Sequence, residues 1–315
     1  MIPFYDATAV RAALDLPRLI EALRRAFAAS DIAAPVRSAH EVGTPETPGR
    51  LLAMPAWRPG DVVGVKLVHV FPRNAERGLG AVQGVYLLFD GRTGVPRAMI
   101  DGDALTNLRT AAASALASTF LSRPDSAVLA LVGTGHLIPA LAHAHGTVRP
   151  IRRVLVWGRT AAKAATLAAR LRGEGLPAEA AEDLGAAVAA ADIVSCATTS
   201  TAPLVLGRHV RAGTHVDLVG AFTPAMREGD DALVATARVF ADTRAGALRE
   251  AGDLIQAIAS GAWSADRLAG DLHDLCAGAV AGRRDAAEIT LFKSVGAALE
   301  DLVAASLVVE AGPAP

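Results

Sequence analysis

Apolar residues first recur at helical spacing at Leu16, Leu19, Ile20, Leu23 and Phe27, while Arg18, Glu21, Arg24 and Arg25 fall largely on other faces. That stripe predicts an amphipathic helix, and Asp15 stands where it can cap the first turn. A polar, proline-rich stretch over 43–49 follows. The pattern then changes to short Val-, Leu- and Ile-rich runs at 51–54, 62–71, 82–90 and 96–100. Pro59-Gly60, the glycines of 78–80 and Asp90-Gly91 punctuate these runs, which read as strands of an antiparallel α+β unit. An alanine-rich helix is expected over 105–121.

From residue 127 the rhythm becomes strand, helix, strand. Apolar runs at 127–132, 154–157, 193–197, 215–219 and 238–241 alternate with helical segments such as 161–172. This alternation implies a parallel sheet with helices on both faces. Boundaries are expected near Arg123-Pro124-Asp125 and near Ser294. They divide the chain into 1–123, 124–293 and a terminal helix over 294–315 that returns to the first domain.

Charge and composition narrow the chemistry. With 31 Lys+Arg against 32 Asp+Glu, the chain lacks the cationic excess that a nucleic-acid binder uses to displace phosphate counterions. No run of some 18 apolar residues escapes charge, Gly or Pro, so no membrane span is expected. Met1-Ile2-Pro3-Phe4-Tyr5-Asp6 does not read as a signal peptide. Cys196 and Cys276 form no CxxC pair and fit a reducing compartment, with Cys196 a small core residue. His143 and His145 lie on different sides of a helix, so no metal site is expected. No Gly-x-Ser-x-Gly, His-Glu-x-x-His or P-loop pattern occurs. The expectation is a globular cytoplasmic protein.

Gly133-Thr134-Gly135, followed by His136, sits between an apolar strand and a helix. There, missing Cβ atoms let the backbone approach a pyrophosphate at the helix N-terminus. Ile138 replaces the third glycine of the fingerprint, so an ordinary strand-to-helix turn is the alternative. The second strand ends in Trp157-Gly158-Arg159-Thr160, and no Asp or Glu occurs from His136 to Gly173 to meet a ribose 2′-hydroxyl. Arg159 can pair with a 2′-phosphate and Thr160 can add a hydrogen bond, which favours NADPH, with NADH also possible; a solvated surface arginine is the alternative. Lys66 interrupts an apolar strand, where an ammonium needs an anion; a lysine snorkelling from an edge strand or a structural ion pair is the alternative to a ligand. Arg109, read as lying in the first turn of its helix, opposes the helix dipole and is better explained by an anionic partner. Arg37, Lys66 and Arg109 could together gather a carboxylate, with Arg109 gripping it through both prongs and Lys66 serving as a point charge or proton donor.

The chain resembles the ornithine cyclodeaminase/mu-crystallin family over nearly its whole length. The resemblance rests on Val36-Arg37, Met54-Pro55-Ala56, Gly64-Val65-Lys66, Phe71-Pro72-x-Asn74, Leu105-Thr106-x-Leu108-Arg109-Thr110-Ala111 and Gly133-Thr134-Gly135. It continues through Ala191-Asp192-Ile193-Val194, Arg227-Glu228, Glu250-x-Gly252-Asp253 and Thr290-Leu291-Phe292-Lys293-Ser294-Val295-Gly296. Within the family, the segment from Phe222 to Glu228 is most similar to the bacterial Δ1-pyrroline-2-carboxylate reductases. The resemblance implies an α/β protein with a Rossmann-type parallel sheet domain plus an α+β substrate and dimerisation domain, assembled as a homodimer. It implies that Arg37, Lys66 and Arg109 hold a substrate carboxylate and that Gly133, Thr134, Gly135, Arg159 and Thr160 hold a dinucleotide. Thr198 and Ser294 are implied near the nicotinamide. Ala81 stands where some members carry a threonine. Phe222 stands where cyclodeaminases carry a carboxylate. The implied activity is NAD(P)H-dependent reduction of a cyclic imino acid, giving proline or pipecolate. The alternatives are an NAD-dependent ornithine cyclodeaminase and a mu-crystallin-like binder of NADPH and a small ligand.

Overall fold

Two aspartates start the first two helices of the computed structural model, which describes residues 2–312. The Asp6 carboxylate accepts from the Thr8 and Ala9 N–H groups at the head of α1 (Ala7–Ala13). Asp15 accepts from Arg18 at the head of α2 (Leu16–Ala29). The stripe Leu19, Ile20, Leu23 and Phe27 is buried, as its spacing predicts. The strand runs become a six-stranded sheet, ordered β1-β6-β5-β4-β3-β2. These strands are β1 (Phe4–Tyr5), β2 (Ser38–Glu41), β3 (Arg50–Arg58), β4 (Val62–Val70), β5 (Val82–Asp90) and β6 (Pro96–Asp101). All neighbours are antiparallel except β1 and β6. β3 outruns its expected span and contains Pro55. Strand β2 pairs with β3 only as far as Ala53, so the missing N–H at Pro55 interrupts no ladder on that side.

β4 is buried on one face only: Val62, Gly64 and Lys66 are buried, whereas Val63 and His69 on the other face are exposed. Gly64 is a glycine for a steric reason, because a Cβ there would lie 2.1 Å from the Tyr86 hydroxyl. Helix α3 (Gly102–Leu121) starts earlier than the pattern suggests, with Asp101 accepting from the Ala104 N–H. Arg109 therefore lies beyond the first turn, and the dipole argument for its partner does not apply. The chain divides into two compact units within α3. One runs up to Thr110 and resumes at Ala297; the other spans Ala111 to Gly296. The division thus falls inside a helix and not at the Arg123-Pro124-Asp125 loop.

The second unit is an all-parallel, eight-stranded sheet, ordered β13-β12-β14-β11-β10-β7-β8-β9. In chain order it comprises β7 (Val128–Val132), α4 (Leu137–Val148), β8 (Arg153–Trp157), α5 (Ala161–Gly173), β9 (Ala178–Ala180), α6 (Leu184–Ala190) and β10 (Ile193–Cys196). It continues with β11 (His215–Leu218), α7 (Asp231–Thr236), β12 (Arg238–Ala241), α8 (Arg244–Glu250), α9 (Gly252–Ala259), β13 (Gly270–Asp271), α10 (Leu272–Cys276) and β14 (Thr290–Lys293). From β7 the chain moves outward through β8 and β9, then crosses to β10 on β7's other side, so strand order reverses between β7 and β10. That crevice, at the carboxyl ends of the strands, is where such sheets bind ligands. A buried polar network ties α3 and α4 to this sheet. Asp217 accepts from Ser195 (2.6 Å) and Ser114 (3.0 Å) and meets His145 Nε2 at 3.3 Å. His143, by contrast, pairs with Glu174 near the surface.

Helix α11 (Ala298–Glu310) belongs to the first unit and packs on α2, β3 and β4. Tyr5 donates to the Gly312 carbonyl at 2.8 Å and fastens the end of that helix. Among the described residues, no helix is long and apolar enough to cross a membrane.

Candidate active site

Within the second unit, Gly133 has φ +126°, and a Cβ there would lie 2.7 Å from the Ala197 carbonyl at the end of β10. Only glycine fits this turn, which lies at the reversal point of the sheet. The turn leads into α4, where the His136 side chain makes no capping bond and is exposed. The Gly135 and His136 N–H groups donate to no described residue, so they remain open to an anion. Thr134 packs over Gly158, whose Cβ would meet the Thr134 methyl at 2.6 Å. Arg159 follows β8, is exposed, and has no hydrogen bond or ion pair with a described residue. Thr160 begins α5 with its hydroxyl uncommitted to the cap. These residues fit the phosphates and ribose of a dinucleotide.

Thr198 and Ser294 also lie at carboxyl ends of strands, and each is held by a buried acid that residue patterning did not single out as a site group. Glu228 accepts from the Thr198 N–H (2.6 Å), the Thr198 hydroxyl (2.9 Å) and the Gly220 N–H (2.7 Å), joining the ends of β10 and β11. Burial pushes its carboxyl up to about 6, against the pull of Lys293. Lys293 forms a buried ion pair with Asp253 at 3.0 Å, and Asp253 accepts from the Glu228 and Gly229 N–H groups. Asp242 accepts from the Ser294 hydroxyl (3.3 Å) and from the Val295 and Gly296 N–H groups. The Arg-Glu, Gly-Asp and Lys-Ser-Val-Gly motifs thus become one scaffold for the rim of the sheet.

In the first unit, Lys66 and Arg109 come together, and each meets an anion supplied by α11. Lys66 Nζ lies 2.8 Å from both oxygens of Asp301 and 3.3 Å from the Thr106 hydroxyl. Arg109 donates through Nε to Asp301 (2.9 Å) and through Nη1 to Glu300 (2.6 Å). All four charged side chains are buried. Asp301 and Glu300 engage Nε–H and one N–H of Nη1, which leaves the other Nη1 N–H and both of Nη2 for a further acceptor. Burial works against the Arg109 charge, but Asp301 and Glu300 outweigh it and raise its pKa. Burial, then the neighbouring Arg109, lower Lys66 to about 8 despite Asp301. Arg37 is half-buried, lies 4.0 Å from Met54 Sδ, and is close enough to contribute to that lowering. Glu300 and Asp301 were legible only as adjacent acids within an otherwise apolar helix.

A parallel sheet whose strand order reverses at a glycine turn defines a Rossmann-type α/β fold. The chain belongs to the ornithine cyclodeaminase/mu-crystallin family, whose model matches residues 4–312. It is 44% identical to a Δ1-pyrroline-2-carboxylate reductase of Paracoccus denitrificans, over 82% of this chain and 83% of that protein. It is 39% identical to one from Colwellia psychrerythraea, over 97% and 98%. The solved Δ1-pyrroline-2-carboxylate reductase of Thermococcus litoralis, in complex with NADH and L-proline, superposes with a TM-score of 0.94 at 31% identity, covering 98% of this chain and 97% of that one.

Proposed function

We propose that the protein is an NAD(P)H-dependent reductase of cyclic imino acids, acting on Δ1-pyrroline-2-carboxylate to give proline and also accepting the six-membered homologue. The observation that carries this reading is the buried Lys66–Asp301–Arg109 cluster. Its ammonium is poised near neutrality beside a guanidinium with an uncommitted Nη2. The bound reduced nicotinamide supplies hydride to the imine carbon. Arg109, through Nη2, and Arg37 hold the carboxylate, and Lys66 donates the proton that the ring nitrogen must carry for its carbon to accept hydride. Gly133, Thr134, Gly135 and His136 hold the pyrophosphate, while Thr198 and Ser294 lie toward the nicotinamide. The test is loss of reduced-dinucleotide absorbance with each cyclic imino acid. An absence of turnover with both rings and both dinucleotides refutes the reading and leaves a ligand-binding role.

NADPH is the preferred dinucleotide in this proposal, because Arg159 is an exposed cation with no described partner. Replacing it with Ala removes a charge-assisted contact worth roughly 1.5–3 kcal/mol. The expected result is a loss of about 10- to 150-fold in kcat/KM with NADPH and little change with NADH. Equal losses with both dinucleotides mean that Arg159 does not read a 2′-phosphate.

We further infer a homodimer formed through the outer face of the first unit's sheet. Val63, Val65 and Leu67 of β4 neighbour Trp57, Leu87 and Phe89 there, an apolar face on which Val63 and Trp57 are exposed. Val65→Glu is expected to convert a dimer into monomers in sedimentation velocity; a monomeric unsubstituted chain refutes the inference.

A further inference from the structure

Helix α11 places two successive acids in its first turns, and both are wholly buried. Glu300 meets Arg109 Nη1, whereas Asp301 bridges Arg109 Nε and Lys66 Nζ. An ammonium has three N–H groups. Asp301 and Thr106 engage two of those on Lys66, fixing its direction and leaving one for a ligand. Cations buried only for stability gain little over well-packed apolar residues. Here both are oriented yet unsaturated, which suits an arrangement that works on a ligand.

We propose that Asp301 is the positioning residue of the reaction: it keeps Lys66 protonated and aims it at the imine nitrogen. This rests on the reductase reading given above. In the step, one Lys66 N–H bond breaks as the ring N–H bond forms. The reduced dinucleotide is oxidised as its hydride reduces the imine carbon, and water later returns a proton to the Lys66 amine. The charged and titratable groups facing Lys66 are Asp301 and Glu300 from α11, Arg109 from α3, Arg37, and the Tyr86 phenol from β5. Burial and Asp301 raise Tyr86, which stays protonated. Arg109 and Arg37 both disfavour a charged Lys66, and Asp301 is the group that opposes them.

The chain contains only three lysines, Lys66, Lys163 and Lys293. The protonation of each can therefore be followed by NMR of lysine-labelled full-length protein, independently of any turnover. In the unsubstituted protein the Lys66 resonance, assigned by its loss in Lys66→Met, is expected to titrate near 8. In Asp301→Asn it moves down by about 1–3 pH units. The alkaline limb of the kcat profile for imine reduction moves with it, so that activity lost at neutral pH returns in mild acid. Glu300→Gln instead raises KM and leaves the limb in place. An Asp301→Asn protein whose Lys66 titration and alkaline limb both stay put, with activity lowered equally at every pH, overturns the proposal. If Asp301→Asn does not fold, Asp301→Glu keeps the charge and must keep the limb, and a moved limb overturns the proposal. A shifted Lys66 resonance in a protein that reduces no cyclic imine refutes the reductase reading instead.

Discussion

Lys66→Met leaves a protein that binds reduced dinucleotide normally but reduces cyclic imino acids about 100- to 10,000-fold more slowly, the range over which a positioned general acid accelerates a reaction. Methionine matches the length of the lysine stem without its charge. Asp301 keeps its bond to Arg109 Nε in the variant, so no acid is left wholly unpaired. The glycine turn, Arg159 and Thr198 belong to the other unit and are untouched. The pH profile gives an independent check. Lys66 is lowered by burial and by Arg109 to about 8. The ammonium is present below that pH and lost as pH rises through it, so activity falls on the alkaline side. The residual rate of Lys66→Met should lack that limb. A near-normal rate, with the limb intact, ends the proton-donor role.

Much of the fold was legible because its signals are local. The stripe of α2, the cap at Asp15 and the glycine turn after β7 all act within a few residues. Strand β14 was harder to read. It lies between β11 and β12, yet its four residues include Thr290 and Lys293. Their partners lie far away in sequence, and Lys293 is tolerated only because Asp253 meets it. The same holds for the site. Lys66 and Arg109 stand out as cations in apolar surroundings. What neutralises them is Glu300 and Asp301, separated from Lys66 by most of the chain and brought in by α11. Sequence shows that such a cation needs an anion; the fold shows that the protein provides one itself. The buried acids thus take up part of a guanidinium that the sequence alone leaves wholly open.

Ornithine is expected to yield no measurable proline or ammonia with NAD present, while Δ1-pyrroline-2-carboxylate is reduced readily. Ornithine carries a second ammonium, which needs a carboxylate once it leaves water. The resemblance places that carboxylate, in cyclodeaminases, just after the strand that is β11 here. In this chain Gly220-Ala221 leads to Phe222, which packs against the hydrophobic core of the second unit. A phenyl ring neither accepts a proton nor pairs with an ammonium. The acids that flank it in sequence, Asp217 and Glu228, are wholly buried and already engaged, Asp217 accepting from Ser114 and Ser195 and Glu228 from Cys196, Thr198, Gly220 and Ala221. In the first unit, Glu300 and Asp301 are committed to Arg109 and Lys66. An ammonium desolvated with no acid to spare costs several kcal/mol, whereas the apolar part of a cyclic imine gains from burial. The measurement is ammonia release from ornithine set against imine reduction by the same preparation. Comparable rates would mean that one of these acids gives up its partner to the substrate, and that the protein is a cyclodeaminase.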